Sequence, residues 1–452
     1  MNVIADTKRQ IHLVSLGCAR NQVDSEGMLG QLRRSGFGIT PDPSRADVII
    51  VNTCSFIEAA INESIDHILA LARYKAEGRC RRLIITGCLP ERFREEIVAT
   101  LPEVDLFLGT GAYGRIVAAV NGQYDGSGCL LPDPDAILLG KEDLARRPSV
   151  RHSAYLKIAE GCSKRCTYCI IPKLRGRHKS RPPEAIVAEA EALLTEGVKE
   201  LVLVAQDTTA YGRDLAPAIG LNDLLNRLAG LIERGSNPNQ AWIRLLYGHP
   251  ESIDDNIIQT IGAHAGICSY FDIPIQHASS GILKKMGRHY SADDLLRLFE
   301  KIRTIVPDAA LRTTAIVGFP GETDRDFQRL SNFIHTVQFE HLGVFSYSDA
   351  DDLPSHHLPD HVDQKVARER RDRLMTDQMA IAREKSRKQI GKVVQILVEE
   401  SPERNLFIGR TELQAPEVDG ITYVHASQLA IGEFVQARIT DALEYDLVGE
   451  AL

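Results

Sequence analysis

The chain lacks long apolar runs and any excess of basic charge. Across its 452 residues no stretch approaches the ~18 apolar residues of a membrane span, and the N-terminal MNVIADTKRQ has no apolar core typical of export signals. The formal net charge of -8 argues against a general nucleic-acid binder, which would usually carry a basic excess. We therefore predict a cytoplasmic protein with no membrane association, whose primary substrate is not a nucleic acid.

Cysteine is also scarce, but it is grouped. Nine cysteines are too few for a disulfide scaffold, and in a reducing compartment grouped cysteines more often indicate metal or redox chemistry. The motif CSKRCTYC places three of them at Cys162, Cys166 and Cys169, and the next is as distant as Cys268. A zinc site would normally have a fourth protein ligand, whereas a 4Fe-4S cube held by three thiolates keeps one iron open. Buried thiols, or a zinc knuckle completed by a histidine, are the alternatives.

Short apolar runs separated by helical patterns indicate the fold. Between residue 11 and about residue 120 the runs IHLVSL, ADVIIVNT, RRLIITG and VDLFLGT predict a parallel α/β sheet. Six further strand candidates follow between residues 151 and 360: AYLKIAE, ELVLVAQ, AWIRLLY, YFDIPIQ, LRTTAIVGF and LGVFSYS. Six βα units predict an open, TIM-like (βα)6 barrel, whose active site would lie at the C-terminal strand ends.

A charged helix and a β-rich tail complete the chain. We interpret residues 363–389 as a solvated helix packed by Val366, Leu374 and Ile381, rather than as a nucleic-acid arm. Beyond Gly391, short alternating runs predict a small β-barrel. The predicted fold class is therefore α/β multidomain, in four segments: an N-terminal domain at 10–125, a linker at 126–150, the (βα)6 domain at 151–385 and the small β-barrel at 386–452.

A second trio of cysteines follows strands of the N-terminal region. Cys18 ends IHLVSLGC, Cys54 ends VIIVNTC and Cys88 ends LIITGC. Because the carboxyl ends of parallel strands form the ligand crevice of an open α/β sheet, these thiols should converge in space. Three buried, small apolar side chains are the alternative interpretation. The other cysteines occupy no matched positions and are interpreted as structural: Cys80, Cys129 and Cys268.

The CSKRCTYC loop after the first strand of a βα barrel resembles the radical S-adenosylmethionine (SAM) superfamily. This resemblance implies that Cys162, Cys166 and Cys169 hold a 4Fe-4S cluster whose open iron chelates SAM, and that one-electron reduction cleaves SAM to a 5'-deoxyadenosyl radical. No general acid or base is assigned, because hydrogen abstraction by a carbon radical does not require one. The resemblance also implies SAM contacts at the second strand end and in the AIVGFPGE turn: Gln206, Asp207 and Gly318.

Four motifs together resemble one family, the methylthiotransferases: SLGCARNQVDSE, VNTCSFIEAA, TGCLPER and EGCSKRCTYCIIPKLRG. The resemblance covers essentially the whole chain, and the family order of cluster domain, radical SAM barrel and TRAM β-domain agrees with the predicted segments. It implies that Cys18, Cys54 and Cys88 hold an auxiliary 4Fe-4S cluster, so that two clusters and SAM are the cofactors. It further implies that a sulfur on this cluster is methylated by a first SAM, that a second SAM activates the receiving C–H bond, and that a flavodoxin-type protein donates electrons.

Members of this family modify either an adenosine in tRNA or an aspartate of the twelfth small-subunit ribosomal protein. SLGCARNQVDSE, TGCLPER and DIPIQHASSGILKKMGR with its His277 resemble the second, RimO, branch. Between Lys392 and Leu452 eleven acidic residues outnumber four basic ones, which suits a basic ribosomal protein better than a tRNA backbone. We predict β-methylthiolation of that aspartate. The alternatives are tRNA adenosine methylthiolation, a single-cluster radical SAM enzyme and an RNA-binding protein with a degenerate barrel.

Overall fold

The structure is a computed structural model that describes residues 8–124, 128–136, 146–234 and 241–452. By its internal contacts the chain forms two compact units. The first comprises residues 1–149, 160–164 and 169–185, and the second comprises 150–159, 165–168 and 186–452. Of the predicted linker at 126–150, residues 126–127 and 137–145 lie outside the described residues.

The described residues form nineteen strands and thirteen α-helices. The strands are β1 (Gln10–Ser15), β2 (Gly38–Ile39), β3 (Val48–Thr53), β4 (Arg82–Gly87), β5 (Leu106–Leu108), β6 (Cys129–Leu130), β7 (Ser153–Lys157), β8 (Ala159–Glu160), β9 (Lys179–Ser180), β10 (Glu200–Val204), β11 (Trp242–Leu245), β12 (Tyr270–Asp272), β13 (Ala310–Val317), β14 (His341–Ser346), β15 (Val393–Glu403), β16 (Leu406–Thr411), β17 (Thr422–His425), β18 (Phe434–Ala442) and β19 (Leu447–Ala451). The helices are α1 (Ala19–Arg34), α2 (Glu58–Ala76), α3 (Cys88–Phe93), α4 (Glu96–Thr100), α5 (Ile116–Val120), α6 (Ile171–Arg175), α7 (Pro183–Thr195), α8 (Leu221–Arg234), α9 (Asp255–Ala263), α10 (Ser280–Lys285), α11 (Ala292–Ile305), α12 (Asp324–Val337) and α13 (Gln364–Arg387).

The first unit is built around a six-stranded parallel sheet in the order β2-β1-β3-β4-β5-β6. Every residue of β3 is buried, as expected for a parallel strand that is covered on both faces. Alternate residues of the strand supply two cores: Ile49 and Val51 pack on one face, and Val48 and Ile50 on the other. This two-sided burial fixes the strand register, and therefore fixes where each strand ends.

The second unit contains the six strands predicted for the barrel. They form two parallel three-stranded sheets in the orders β11-β10-β7 and β12-β13-β14, and a parallel bridge pairs Ile243 with Ile267 between them. Helix α12 begins at a capping box in which Thr323 and Asp326 satisfy each other's backbone N–H groups, a feature that contributes about 1 kcal/mol. The two three-stranded sheets and the bridge between them form the open (βα)6 arrangement that the sequence predicts.

A closed five-stranded barrel, in the order β15-β16-β17-β19-β18, completes the second unit. Its core includes Ile396, Val398 and Phe407. The charged helix α13 buries Leu374 and Ile381 in the core of the six-stranded domain, which confirms the packed interpretation for these two residues. No helix among the described residues is both long and apolar enough to cross a membrane.

Candidate metal and SAM site

The three cysteines of the N-terminal region lie at the ends of neighbouring strands. Strands β1, β3 and β4 are adjacent and parallel. Cys54 directly follows β3, Cys88 follows β4 as the first residue of α3, and Cys18 is the N-cap of α1. The structure therefore brings this trio, called the strand-end cysteines below, to one edge of one sheet.

Two glycines allow the turns that carry these cysteines to approach each other. Gly17 has a φ of +88°, and a Cβ there would lie 2.6 Å from the Cβ of Cys54 and 3.1 Å from its Sγ. Gly87 has a φ of +98°, and a Cβ there would lie 2.7 Å from the carbonyl oxygen of Thr53. Only glycine tolerates both the left-handed conformation and the missing space, so the close approach is built into the sequence.

The environments of the three thiols differ. Burial raises the pKa of Cys88 to about 12, and the nearby Arg175 opposes that effect. Burial also raises the pKa of Cys54. For Cys18, burial is outweighed by Arg20, Arg175 and backbone N–H groups, so that the pKa is lowered. Each of the three thiols interacts electrostatically with at least one other, and metal binding would require all three as thiolates.

Three thiols are a donor set of the kind that an iron-sulfur cluster with one open iron requires. Among the described residues, no group of three or more His, Cys, Asp or Glu side chains is arranged to hold one metal ion. An iron-sulfur cube binds each thiolate to a different iron and therefore does not need the sulfurs to meet at one centre. All three side chains are free thiols, so the donor set fits a cluster with one open iron.

One buried cation lies beside this trio. Arg175, the last residue of α6, donates from Nη2 to Cys88 Sγ at 3.8 Å. Its Nη1 donates to Asp24 Oδ2 at 2.7 Å and to Glu160 Oε2 at 3.2 Å. No spacing rule applied to the sequence singles out Arg175, although it lies in the quoted motif IPKLRG. Its partner Asp24 lies 151 residues away in the sequence, so only the folded structure identifies the site.

The cysteines of the CSKRCTYC loop are half-buried and are not part of a disulfide bond. The N–H of Cys162 donates to the carbonyl of Gly176 at 3.0 Å. In the second unit, the N–H of Thr167 donates to Met286 O at 3.1 Å, and its carbonyl accepts from the N–H of Ser355 at 3.0 Å. Each unit therefore fixes its own part of the loop by backbone hydrogen bonds: the first unit at Cys162 and the second unit at Thr167, directly after Cys166.

Polar side chains gather at the C-terminal ends of the barrel strands. Asp207, after β10, accepts from Thr209 Oγ1 at 2.6 Å, while its buried Oδ2 has no hydrogen-bond partner among the described residues. Gln206 precedes it and is half-buried. Arg288 donates to the hydroxyl of Tyr168, from Nη2 at 2.6 Å and from Nε at 3.2 Å. Its Nη1 contacts Nε2 of His249, so Arg288 connects polar side chains that follow different parts of the barrel.

Packing against a neighbouring helix requires glycine at position 318, where the sequence also predicts a SAM contact. Its φ is +74°, and a Cβ there would lie 2.3 Å from the Cβ of Ala367 in α13. Its N–H donates to Glu322 Oε2 at 2.6 Å. Burial raises the pKa of Glu322 to about 7, opposed by Arg370, and lowers that of His277 to about 4. His277 therefore lies neutral beside the turn, with its Nε2 3.8 Å from Glu322.

Three family models match the chain. They are the uncharacterized protein family UPF0004 at residues 10–109, the radical SAM superfamily at 156–334 and the TRAM domain at 390–452. A ribosomal protein uS12 methylthiotransferase RimO from Desulfosudis oleivorans is 53% identical over 98% of this chain and 100% of its own length. The chain belongs to the RimO family. A second RimO relative, from Clostridioides difficile, is 47% identical over 98% of this chain and 99% of its own length.

Solved structures show the same fold at much lower identity. The radical SAM methyltransferase TsrM from Kitasatospora setae, solved with cobalamin and a [4Fe-4S] cluster bound, matches with a TM-score of 0.58 and 16% identity over 77% of each chain. The family models and the RimO relatives show that this chain is a radical SAM enzyme with a C-terminal TRAM domain, as the sequence predicts. The iron-sulfur cluster and SAM follow from the superfamily.

Proposed function

We propose that this RimO family member transfers a methylthio group to the β-carbon of one aspartate in ribosomal protein uS12. Full-length similarity to RimO relatives, at 53% identity over 98% of the chain, is the observation that carries the proposal. When bound, two 4Fe-4S clusters and SAM would supply the sulfur, the methyl group and the carbon radical that this substitution needs. The cysteines and the polar side chains after the barrel strands would hold these groups.

The cysteine sets divide the two cluster sites between them. Cys162, Cys166 and Cys169 would hold the SAM-binding cluster, because their loop is anchored by backbone hydrogen bonds and leaves the thiols half-exposed. Cys18, Cys54 and Cys88 would hold the auxiliary cluster, because three adjacent strands carry them to one sheet edge. A cluster with three protein ligands keeps one iron for a non-protein ligand, and each set offers three.

SAM would be held by polar groups after the barrel strands. Asp207 has a buried oxygen without a hydrogen-bond partner among the described residues, which favours a donor from the ligand. Arg288, which donates to Tyr168, offers a guanidinium of the kind that binds carboxylate groups. Gln206 and the backbone at Gly318 complete the proposed contacts. The left-handed turn at Gly318 is also required by Ala367, so its glycine is not by itself evidence of SAM binding.

The exposed charges of the TRAM domain are acidic in excess, although by a smaller margin than its composition indicates. Six of its eleven acidic residues and three of its four basic residues are exposed. Arg410, one of its four basic residues, is buried and paired with Glu200 at 2.6 Å, so its charge does not reach solvent. Exposed acidic side chains remain across the domain: Glu400, Glu403, Glu417, Glu433, Asp441 and Glu450. Such a surface attracts a basic protein and repels a phosphate backbone. This charge supports uS12 rather than tRNA as the substrate.

The electron donor and the cellular location are proposed from the chemistry of the family. A low-potential one-electron donor of flavodoxin type would reduce the clusters. The cytoplasm would be the site of action, because the proposed substrate is a ribosomal protein.

The proposal is tested with the reconstituted holoenzyme under anaerobic conditions. SAM, a reductant and a uS12 peptide bearing the target aspartate should give a mass gain that matches replacement of H by S–CH3, together with 5'-deoxyadenosine. Unmodified tRNA containing the target adenosine serves as the competing substrate. Modification of the adenosine and not of the peptide would overturn the substrate assignment.

The control for this assay removes the loop thiols. The combined change Cys162→Ala, Cys166→Ala and Cys169→Ala should abolish 5'-deoxyadenosine formation and lower the iron content from about eight to about four per chain, because each cube holds four irons. Cys268→Ala removes a buried cysteine of the second unit and should alter neither value. Persistent SAM cleavage in the triple variant would overturn the assignment of the SAM site.

A further inference from the structure

Arg175 contacts more of the strand-end site than an ordinary ion pair requires. The side chain is buried, as are both carboxylates that it binds, Asp24 and Glu160. A single aspartate would balance its charge, yet the guanidinium also donates to the side-chain oxygen of Asn21 and to Cys88 Sγ. A guanidinium offers five N–H donors in a fixed fork. Here the fork holds two carboxylates, an amide and a thiol in one arrangement.

Asn21 extends this arrangement to the other two thiols. While its Oδ1 accepts from Arg175, its Nδ2 donates to Leu16 O at 2.9 Å and to Thr53 O at 2.8 Å. Leu16 lies two residues before Cys18, and Thr53 lies immediately before Cys54. The backbone that carries both thiols is therefore fixed by one amide, which is in turn oriented by Arg175.

The same segment is connected to the first cysteine of the loop. Gly176, the next residue after Arg175, accepts the backbone N–H of Cys162 at 3.0 Å. Glu160, which Arg175 binds, lies two residues before Cys162. Residues 175 and 176 thus contact the strand-end cysteines through a side chain and the loop through a backbone carbonyl.

We propose that Arg175 is a positioning residue for the auxiliary cluster: through Cys88 and Asn21 it sets the arrangement of the three strand-end thiols, and its charge raises the reduction potential of the cluster that they hold. The inference rests on the proposed function, which places that cluster at Cys18, Cys54 and Cys88. A positive charge and an N–H donor near a ligating sulfur stabilise the reduced, more negative state of an iron-sulfur centre. Arg175 supplies both to Cys88.

The test measures the reduction potential of the auxiliary cluster without a contribution from the other one. The parent is the full chain carrying Cys162→Ala, Cys166→Ala and Cys169→Ala, reconstituted with iron and sulfide and titrated anaerobically with dithionite by EPR and visible absorption. At the midpoint potential of the parent, Arg175→Met should lower the ratio of reduced to oxidised cluster at least tenfold. For a one-electron couple this corresponds to a potential about 59 mV more negative.

Three companion variants keep the test decisive. Asp24→Asn retains Arg175 and removes a negative charge, so it should shift the potential in the opposite, positive direction. Arg175→Lys keeps the charge but lacks the fork, so it should bind less iron with a smaller potential shift than Arg175→Met. Arg177→Met removes an arginine of the same segment whose side chain is 86% exposed, and should leave both iron content and potential at the parent values.

The outcomes separate the two proposals. Unchanged potentials in Arg175→Met and Asp24→Asn would overturn the role of Arg175 while leaving methylthio transfer by the intact enzyme possible. If Arg175→Met retains no iron, the potentials of Arg175→Lys and Asp24→Asn test the role of Arg175 instead. Parental potentials in both of these variants would overturn that role. A parent that binds no iron would overturn the auxiliary site itself. A wrong protein substrate would not affect these measurements, because no substrate is present.

Discussion

Two buried arginine–carboxylate networks, one in each unit, consist of the same chemical groups but contact different neighbours. In the second unit, Glu200 accepts from Arg244 at 2.8 Å and from Arg410 at 2.6 Å, and Arg410 also binds Glu399. In the first unit, Arg175 binds two carboxylates. The networks differ in what else they contact. The Glu200 network joins β10 and β11 to β16 of the TRAM barrel, whereas the Arg175 network contacts Cys88.

This difference separates a structural charge network from one beside a reactive group. Removing one partner from either network leaves an uncompensated buried charge, which is strongly destabilising. Stability alone therefore cannot distinguish the two. The Glu200 network contacts no predicted cluster ligand among the described residues, so its loss should affect folding only. The Arg175 network should affect the properties of a bound cluster as well.

The largest effect is expected from removing the thiols that only the first network contacts. The combined change Cys18→Ala, Cys54→Ala and Cys88→Ala should abolish methylthio transfer, because the proposed sulfur source is lost. SAM cleavage should persist, and iron should fall to about four per chain. Iron analysis, 5'-deoxyadenosine assay and peptide mass spectrometry measure these values. Cys80→Ala and Cys129→Ala are the matched controls in the same unit. Retained methylthio transfer in the triple variant would contradict the division of roles.

The second prediction concerns stability in the other network. Glu200→Gln leaves Arg244 and Arg410 buried without their shared carboxylate, and should lower the free energy of unfolding of the second unit by about 3–5 kcal/mol. Trp242, the single tryptophan, packs against Phe434 of the TRAM barrel with ring centroids 4.6 Å apart. Its fluorescence therefore reports this transition during urea titration. The exposed Glu300→Gln should change nothing, and a shift of the auxiliary-cluster potential in Glu200→Gln would contradict the separation.

The sequence predicts the positions of the grouped cysteines more completely than it predicts the short strands. Cys18, Cys54 and Cys88 can be predicted to converge because each follows an apolar run, and parallel strands end at one sheet edge. The loop cysteines are recognised by spacing alone. Strand β19 escapes prediction because its five residues, LVGEA, give little alternation, and it is fixed by pairing with β17 and β18. The edge strands β2 and β6 have only two residues each.

Side-chain partners across long sequence separations escape prediction altogether. Arg410 contributes to the composition as a surface charge, yet it is buried against Glu200, 210 residues away. Arg175 binds Asp24 across 151 residues. No period or local motif links such pairs, because their proximity is a property of the tertiary fold. The placement of the strand-end cysteines at one sheet edge can therefore be predicted from the sequence, whereas the buried charges beside them cannot.

The third prediction is a pH dependence of stability that comes from Glu200 in the second network. Burial alone would raise the pKa of Glu200, but Arg410 and Arg244 outweigh it and lower the pKa from 4.5 to about 2. A lowered folded pKa means that stability is fully present above pH 4.5 and is lost as the pH falls toward about 2. The loss should be about 3 kcal/mol. Acid titration followed by Trp242 fluorescence should show this decline in the native chain and a flatter profile in Glu200→Gln.

The smallest effect is expected when Arg410 is replaced by lysine, which keeps the positive charge but removes the planar guanidinium. Arg410→Lys retains a cation beside Glu200, but an ammonium lacks the planar, five-donor guanidinium that binds Glu200, Glu399 and the carbonyl of Gln414 from separate nitrogens. The free energy of unfolding should fall by about 1–2 kcal/mol, less than in Glu200→Gln because no charge is left unpaired. Urea titration of Trp242 fluorescence measures the loss, with the exposed Arg404→Lys as the matched control. A loss of stability as large as that of Glu200→Gln would mean that hydrogen-bond geometry, and not charge balance, dominates this network. If the Arg175 network behaves in the same way, the potential shift in Arg175→Lys should then be as large as that in Arg175→Met.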